Sequence, residues 1–358
     1  MLKLEARATP STLMAYASPF LAAVLTLFSG ALLFSLLGKD PWASLYTLLI
    51  VPISDVYGLA ELCVKAGPIL LCAMGLALVY RAQVWNIGAE GQLLMGGVIA
   101  SWAALSLIDS EGFWVLPVVL VCGMLGGGLW AALAAWLKTR FNANEILTTI
   151  MLNYIALNIL LYAVHGPLKD PDGFNFPESA LFSDSATLPT LIDGTRIHLG
   201  IGLALLAVAV VWVLISRTLF GFQVKVMGLD VRAANYAGFS QKKLVWLTLI
   251  ISGALAGLAG AAEVSGPIGQ LIPQISPGYG YSAIIVAFLG RLNPIGILFA
   301  TFLMALIYMG GEMAQIELGL PVALTGVFQG MLLFYLLACD VLIHFRIKRR
   351  APQLAANG

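Results

Sequence analysis

The stretch RAQVWNIGAEGQLLMGGVIA, residues 81–100, places polar side chains between two apolar runs. Two glycines, Gly88 and Gly91, interrupt it. Its polar members are Arg81, Gln83, Asn86, Glu90 and Gln92. Irregular backbone between two spanning segments is tolerated only where protein buries it or where it lines a watery cavity. The stretch therefore predicts a break between two helices beside a polar site.

The composition is that of a membrane protein. Of 358 residues, 60% are apolar and 10% are charged, whereas about a quarter of the residues are charged in ordinary soluble domains. The mean hydropathy is +0.94. The formal net charge of +1 excludes a nucleic-acid partner, because such proteins carry a strongly basic face. We expect lipid to cover most of the surface.

Ten apolar runs predict membrane spans. They are continuous and do not alternate with polar residues, so they predict helices and not a barrel. The fold class is therefore all-α and polytopic. The runs are 16–37, 66–80, 89–108, 113–137, 147–165, 197–216, 244–264, 279–290, 294–311 and 320–344.

The charged connections divide into two sets. Lys and Arg dominate the termini and alternate loops, while Asp and Glu dominate the others, so the positive-inside rule places both termini in the cytoplasm. We predict a single transmembrane domain, 1–358. Residues 166–196 form a predicted extracytoplasmic loop, and residues 217–243 a predicted cytoplasmic loop.

Two of the runs are short. As a helix, residues 66–80 span only about 22 Å at 1.5 Å per residue, less than the roughly 30 Å of a hydrocarbon core. The preceding stretch DVYGLAELCVKAG, residues 55–67, contains Glu61 and Lys65 one helical turn apart and suits an interfacial helix better than a spanning one. The run 279–290 is short in the same way. One short or broken helix in each half of a transporter indicates a central binding site. Further polar residues within or beside the spans are Asn144, Asn153, Glu263, Arg291 and Asn293.

The cytoplasmic stretch DVRAANYAGF, residues 230–239, predicts a short helix with Asp230 as N-cap and Gly238 as C-cap. The surrounding loop carries five Lys or Arg and one Asp. From the residues alone, this helix fits an interfacial turn and a docking site for a cytoplasmic partner equally well.

Catalytic signatures are missing from the sequence. The three His residues are far apart, neither HExxH nor GxSxG occurs, and no GxxxxGK[ST] phosphate-binding loop is present. Four cysteines lie in apolar stretches, without CxxC spacing, and indicate neither a metal site nor a disulfide. The sequence therefore predicts no enzyme and no ATPase of its own.

Five motifs in order resemble the permease subunits of ABC importers, in the superfamily of branched-chain amino acid, ribose and simple-sugar permeases. The sequences of the first two motifs are similar to those of the nucleoside and simple-sugar branch of this superfamily. The resemblance covers residues 60–340. The motifs are VWNIGAEGQLLMGG, FNANEILTTIMLNYIALNI, VMGLDVRAANYAGFSQKKL, ISGALAGLAGAAEVSG and VAFLGRLNPIGILFATFLMA.

The resemblance implies a transport subunit without a cofactor, in a bacterial plasma (inner) membrane. Its implied partners are P-loop ATPase subunits at the cytoplasmic face, which bind the ATP, a second permease subunit and an extracytoplasmic solute-binding lipoprotein. The solute it implies is a nucleoside, then a simple sugar. The substrate path would include Asn86, Glu90, Gln92, Asn144, Asn153, Glu263, Arg291 and Asn293.

The resemblance also assigns the short cytoplasmic helix to ATPase coupling. The coupling residues it implies are Gly228, Leu229, Asp230, Ala233, Ala234, Tyr236, Ala237 and Gly238.

Two other classes of transporter are alternatives to this interpretation. An ion-gradient-driven secondary transporter requires paired carboxylates or cation ligands at mid-membrane, for which Glu90 and Glu263 are the candidates. A passive channel for a polar solute is the other alternative.

Overall fold

The computed structural model describes residues 2–7, 11–321 and 323–349. Arg350, the end of the predicted basic tail, lies outside them. The described residues contain thirteen α-helices and one two-stranded β-ribbon. The helices are α1 Thr12–Leu36, α2 Pro41–Leu49, α3 Val56–Arg81, α4 Ala89–Ser106, α5 Val115–Phe141, α6 Glu145–His165, α7 Leu199–Arg217, α8 Leu219–Leu229, α9 Val231–Tyr236, α10 Gln241–Glu263, α11 Tyr279–Leu289, α12 Pro294–Leu318 and α13 Ala323–His344.

Each predicted apolar run overlaps one of these helices in the described part of the chain. In the described part of the chain, eight helices are long and apolar enough to cross a membrane. The other two runs are α4, with 18 residues, and α11, with 11. The all-α, polytopic prediction is confirmed. The ribbon, β1 Leu2–Ala6 antiparallel to β2 Phe345–Arg349, was not predicted.

The chain divides into two compact units. The first combines residues 1–52 with 307–358, and the second is residues 53–306. In the first unit α1 packs on α13, where Phe34 and Phe328 lie 5.6 Å apart between ring centroids. A hydrogen bond of 2.6 Å joins the hydroxyls of Ser29 and Tyr335.

Helix α3 corrects one prediction in the second unit. It is one continuous helix of 26 residues, about 39 Å long at 1.5 Å per residue, and not a short span with a separate interfacial helix. The Asp55 carboxylate caps its start by accepting from the Gly58 N–H at 2.6 Å. The charge of Glu61 is tolerated in its first half because Arg196, from the 166–196 loop, lies 3.6 Å away. The other short run is confirmed as α11.

The 166–196 loop is bound to the segment that follows α10. Backbone N–H groups of Ser179, Phe182 and Leu188 donate to the carbonyls of Leu271, Gly269 and Ser265, respectively, at 2.9, 2.9 and 2.7 Å. His198 ends the loop as the N-cap of α7, and its Nδ1 accepts from the Gly200 N–H at 3.1 Å. Burial lowers the pKa of His198 to about 4, with Arg196 adding to the effect, so the ring is neutral at pH 7.

Helices α4, α5 and α10 pack through small residues. A Cβ on Gly257 would overlap the Gly123 carbonyl and the Gly127 backbone, whereas a Cβ on Gly128 would meet its nearest neighbour, the Ile250 carbonyl, at 3.6 Å. Since apolar surface gives helices no driving force to associate within lipid, close backbone approach of this kind supplies packing energy.

Replacing Gly257 with Ala should therefore destabilise the bundle by about 1–3 kcal/mol, the usual cost of overpacking. Thermal unfolding of the purified protein in detergent measures the effect. Gly128→Ala is the matched control, because it adds the same methyl group where space exists. Equal unfolding temperatures for the two variants would contradict the packing account.

Candidate functional site

The break between α3 and α4 is filled by an amide pair. The Asn86 Nδ2 donates to the Gln92 Oε1, and the Gln92 Nε2 donates to the Asn86 Oδ1, both at 3.1 Å. Asn86 also accepts from the Gly88 N–H at 2.9 Å and donates to the Ser252 hydroxyl at 3.2 Å. Asn86 and Gln92 are buried, with 0% and 1% of their surface exposed. The pair therefore satisfies its own buried amides, and Asn86 also supplies the Gly88 N–H of the break with an acceptor.

Asn153 fixes the same break to α6. Its Oδ1 accepts from the Gly91 N–H at 2.9 Å, and its Nδ2 donates to the Ile87 carbonyl at 2.9 Å. The same amide nitrogen donates to the Tyr281 hydroxyl at 3.2 Å. The Thr149 hydroxyl accepts from the Ile87 N–H at 3.2 Å. Asn153 thus uses both ends of its amide within the protein.

Glu90 joins the first turn of α4 to that of α11. Its Oε2 accepts from the Gly280 N–H at 2.7 Å. A Cβ on Gly280 would overlap the Glu90 backbone, so only glycine permits this approach. The carboxylate is buried, with 7% of the residue exposed. A buried carboxyl group requires such donors, and Glu90 consequently fixes where α11 begins.

A cavity of about 550 Å³ opens between α4, α6, α11 and the segment 273–278. Tyr154 and Tyr281 are exposed by 59% and 44%. The cavity is large enough for a small solute, and its walls offer ring faces together with amide and carboxylate groups. Its polar and aromatic lining consists of Glu90, Asn153, Tyr154, Gln274, Ser276 and Tyr281.

The structure therefore brings two of the eight predicted path residues, Glu90 and Asn153, into one cavity. Asn86 and Gln92 do not line it, because each satisfies the other in the core. The other polar and aromatic lining residues, Tyr154, Gln274, Ser276 and Tyr281, were not among the predicted path residues.

The other four predicted path residues lie elsewhere. Asn144 is the N-cap of α6 and accepts from the Ile146 N–H at 2.9 Å, while Asn293 accepts from the Ile295 N–H at 3.0 Å at the start of α12. Arg291 lies in the α11–α12 turn with a φ of 58°. Glu263 is the buried last residue of α10. None of the four lines the 550 Å³ cavity.

The predicted cytoplasmic loop, residues 217–243, is mostly helical. Helix α8, which was not predicted, begins at Thr218, whose hydroxyl accepts from the Gly221 N–H at 3.1 Å. The predicted short helix is present as α9. Its N-cap is Asp230, which accepts from the Arg232 N–H at 2.7 Å, and Gly238 follows its last turn with a φ of 80°.

Helix α9 has an exposed side and a buried side. Tyr236 at the end of α9 is 97% exposed, and Leu229, the last residue of α8, is 78% exposed. Asp230, Ala233, Ala237 and Gly238 are exposed as well. Ala234 is instead buried in an apolar cluster with Val79, Ala82, Val84, Ala135, Val224, Met227, Leu244, Val245 and Leu249.

Gly228, another of the predicted coupling residues, faces the end of α3. A Cβ on it would overlap the Arg81 carbonyl oxygen at the end of α3. Six of the eight predicted coupling residues are therefore accessible to a partner, while Ala234 and Gly228 fix the segment to the rest of the chain.

The site contains no visible metal centre. Among the residues that the structure describes, no group of three His, Cys, Asp or Glu side chains could hold an ion, and the four cysteines are free thiols.

Comparison with known proteins shows the family. The pattern of the permease components of branched-chain amino acid transport systems matches residues 58–337, and the chain belongs to this family. It is a membrane-embedded permease component and not an enzyme, and it carries no cofactor.

Two relatives cover most of the chain. The glucose ABC transporter permease protein TsgB13 of Haloferax volcanii is 32% identical over 97% of this chain and 93% of its own length. The guanosine ABC transporter permease protein NupP of Bacillus subtilis is 34% identical over 85% of this chain and 87% of its own. The same two organisms supply second, more distant relatives, TsgC13 at 27% and NupQ at 26% identity.

Replacing Gln92 with Leu should destabilise the protein by about 1–3 kcal/mol, because it leaves the buried Asn86 amide without its partner. The free energy of unfolding in detergent measures the loss. Asn158→Leu is the control, since Asn158 is exposed and bonds only locally, to the Tyr154 carbonyl at 2.8 Å. A Gln92→Leu variant as stable as the control would show that the amide pair does not hold the break.

Proposed function

We propose that this chain is the permease subunit of an ATP-driven importer for a nucleoside or a simple sugar. Family membership supports the permease role. The names of the relatives, a guanosine and a glucose permease, support this choice of solutes. A neutral, hydroxylated solute with a flat or ring-shaped face fits a cavity with two exposed tyrosine rings and few charges.

The observation that carries the importer assignment is the construction of α9. It is a capped helix whose inner residue, Ala234, is packed in the core, while its outer face exposes Tyr236 and the adjoining end of α8 exposes Leu229. An exposed aromatic side chain on a well-anchored helix is typical of a docking residue. A merely interfacial helix has no need of anchoring by the core.

We infer that α9 docks on a P-loop ATPase subunit at the cytoplasmic face, with both chain termini on that side. We propose ten spans, in which α4 and α11 are stabilised by protein contacts where their own apolar length is insufficient. The location we propose is the plasma membrane of the cell. A solute-binding lipoprotein outside would deliver the solute.

The second permease subunit is proposed to be a different chain. Bacillus subtilis supplies two relatives with paired names, NupP and NupQ, and Haloferax volcanii supplies TsgB13 and TsgC13. A heterodimer of two such chains supplies two halves of a path, and alternating access follows from rocking of the halves about a central site.

Replacing Tyr236 with Asp should weaken ATPase association at least about tenfold, the effect of losing an interface anchor, and abolish uptake, while membrane insertion is unchanged. The measurement is affinity purification of tagged variants from native membranes, with the co-purifying ATPase quantified by mass spectrometry. Phe174→Asp is the matched control, because Phe174 is 94% exposed in the 166–196 loop, which is predicted to be extracytoplasmic. Normal ATPase recovery with the Tyr236 variant would refute the docking assignment.

A further inference from the structure

Helix α11 is held at both of its ends by side chains from other elements. At its start, the Gly280 N–H donates to the Glu90 carboxylate at 2.7 Å. Just beyond its end, the Leu292 carbonyl accepts two bonds from the Arg81 guanidinium, from Nε at 3.0 Å and from Nη2 at 2.8 Å. With 11 residues, the helix is about 16 Å long at 1.5 Å per residue. It is thus a short rod that joins Arg81 to the cavity wall.

The turn after α11 is unusual in its backbone. Arg291 and Leu292 have φ values of 58° and 54°, in the left-handed region that residues with a side chain adopt at a cost. Such conformations persist only where the surroundings fix them. The two hydrogen bonds from Arg81 are directed at the carbonyl of this turn and stabilise its orientation.

The backbone of Arg81 also contacts residues 228–238, which contain the predicted coupling residues and form the coupling segment. Gly228, at the end of α8, approaches the Arg81 carbonyl so closely that no side chain fits between them. The next residue, Ala82, packs in the same apolar cluster as Ala234 of α9. One residue therefore contacts the coupling segment with its main chain and the α11–α12 turn with its side chain.

Three aromatic rings join these parts into one packed body. Tyr80 stacks on Phe288 of α11 with centroids 5.1 Å apart, and Trp85 from the break lies 6.1 Å from Phe288. The Tyr80 hydroxyl donates to the Asn86 carbonyl at 2.8 Å. Because close-packed interiors transmit displacement, the end of α3 and α11 should move together.

We propose that Arg81 is the positioning residue that transmits movement of the coupling segment to the solute cavity, with α11 as the connecting rod. The proposal rests on the proposed function. Displacement of α9 by the ATPase moves the end of α3, Arg81 carries the Leu292 carbonyl with it, and α11 moves. The other end of α11 is bonded to Glu90, so the movement changes the cavity that Glu90 and Tyr281 line.

The test is the number of solute molecules transported per ATP hydrolysed by the complete transporter in liposomes. Arg81→Gln should lower this ratio about tenfold, within the range typical of coupling between two sites, while ATPase association and ATP hydrolysis stay near wild type. Arg81→Lys, which keeps one donor and the charge, should recover part of the ratio. Arg140→Gln is the control, because Arg140 is an exposed arginine at the end of a neighbouring span.

A parallel loss of assembly, hydrolysis and transport in Arg81→Gln, with no recovery in Arg81→Lys, would mark Arg81 as merely structural and overturn the proposal. An unchanged number of solute molecules transported per ATP in Arg81→Gln would also overturn the proposal. Failure of the proposed function is distinguishable, because the wild-type chain would then transport without ATP.

The far end of the rod offers an independent test. Glu90→Gln keeps an oxygen that can accept from the Gly280 N–H, whereas Glu90→Leu removes it. If both residues act through α11, the Arg81→Gln and Glu90→Leu effects on the transport ratio will be non-additive. Additive effects would show that the two residues act separately and would contradict the proposal that α11 connects them.

Discussion

The interaction on which the site depends is the reciprocal amide bonding between Asn86 and Gln92. A backbone that leaves a helix inside a membrane protein must find other hydrogen-bond partners, because hydrocarbon supplies none. The pair, with Asn153 and the Thr149 hydroxyl, provides them within a buried network. This network holds the start of α4 in place, and so fixes the position of Glu90, of α11 and of the cavity between them.

Most of the fold could be predicted from the sequence, because lipid imposes long apolar helices. The runs around α1, α5, α6, α7 and α10 required only length and hydropathy. Helix α3 was misjudged because Glu61 and Lys65 ended its apolar run, and no local pattern shows that Arg196, far along the chain, lies beside Glu61. Helix α8 was missed because its caps, Thr218 and Asp230, are also the C-cap of α7 and the N-cap of α9, so no separate pair of caps marks it.

The candidate site was less predictable than the fold. Polar residues in apolar surroundings predicted the break between α3 and α4, but a polar side chain that lines a cavity and one that bonds to another side chain look alike in a sequence. Asn86 and Gln92 are of the second kind. The tyrosines of the cavity carry no polar signal of their own. For α9, capping residues predicted the helix correctly, while the burial of Ala234 depends on α3, α5 and α10 and could be found only from the structure.

If the proposed function is correct, ATP hydrolysis by a docked partner drives solute through this chain. The direct measurement is uptake of radiolabelled guanosine and glucose into liposomes that contain the purified chain, alone or with its second permease subunit, ATPase and solute-binding lipoprotein. We expect uptake only with the complete assembly and with ATP on the side of the liposome membrane that carries the ATPase. An ion gradient without ATP should drive no uptake. Uptake by the chain alone, with or without an ion gradient, would contradict the proposed function and establish a secondary transporter or a channel.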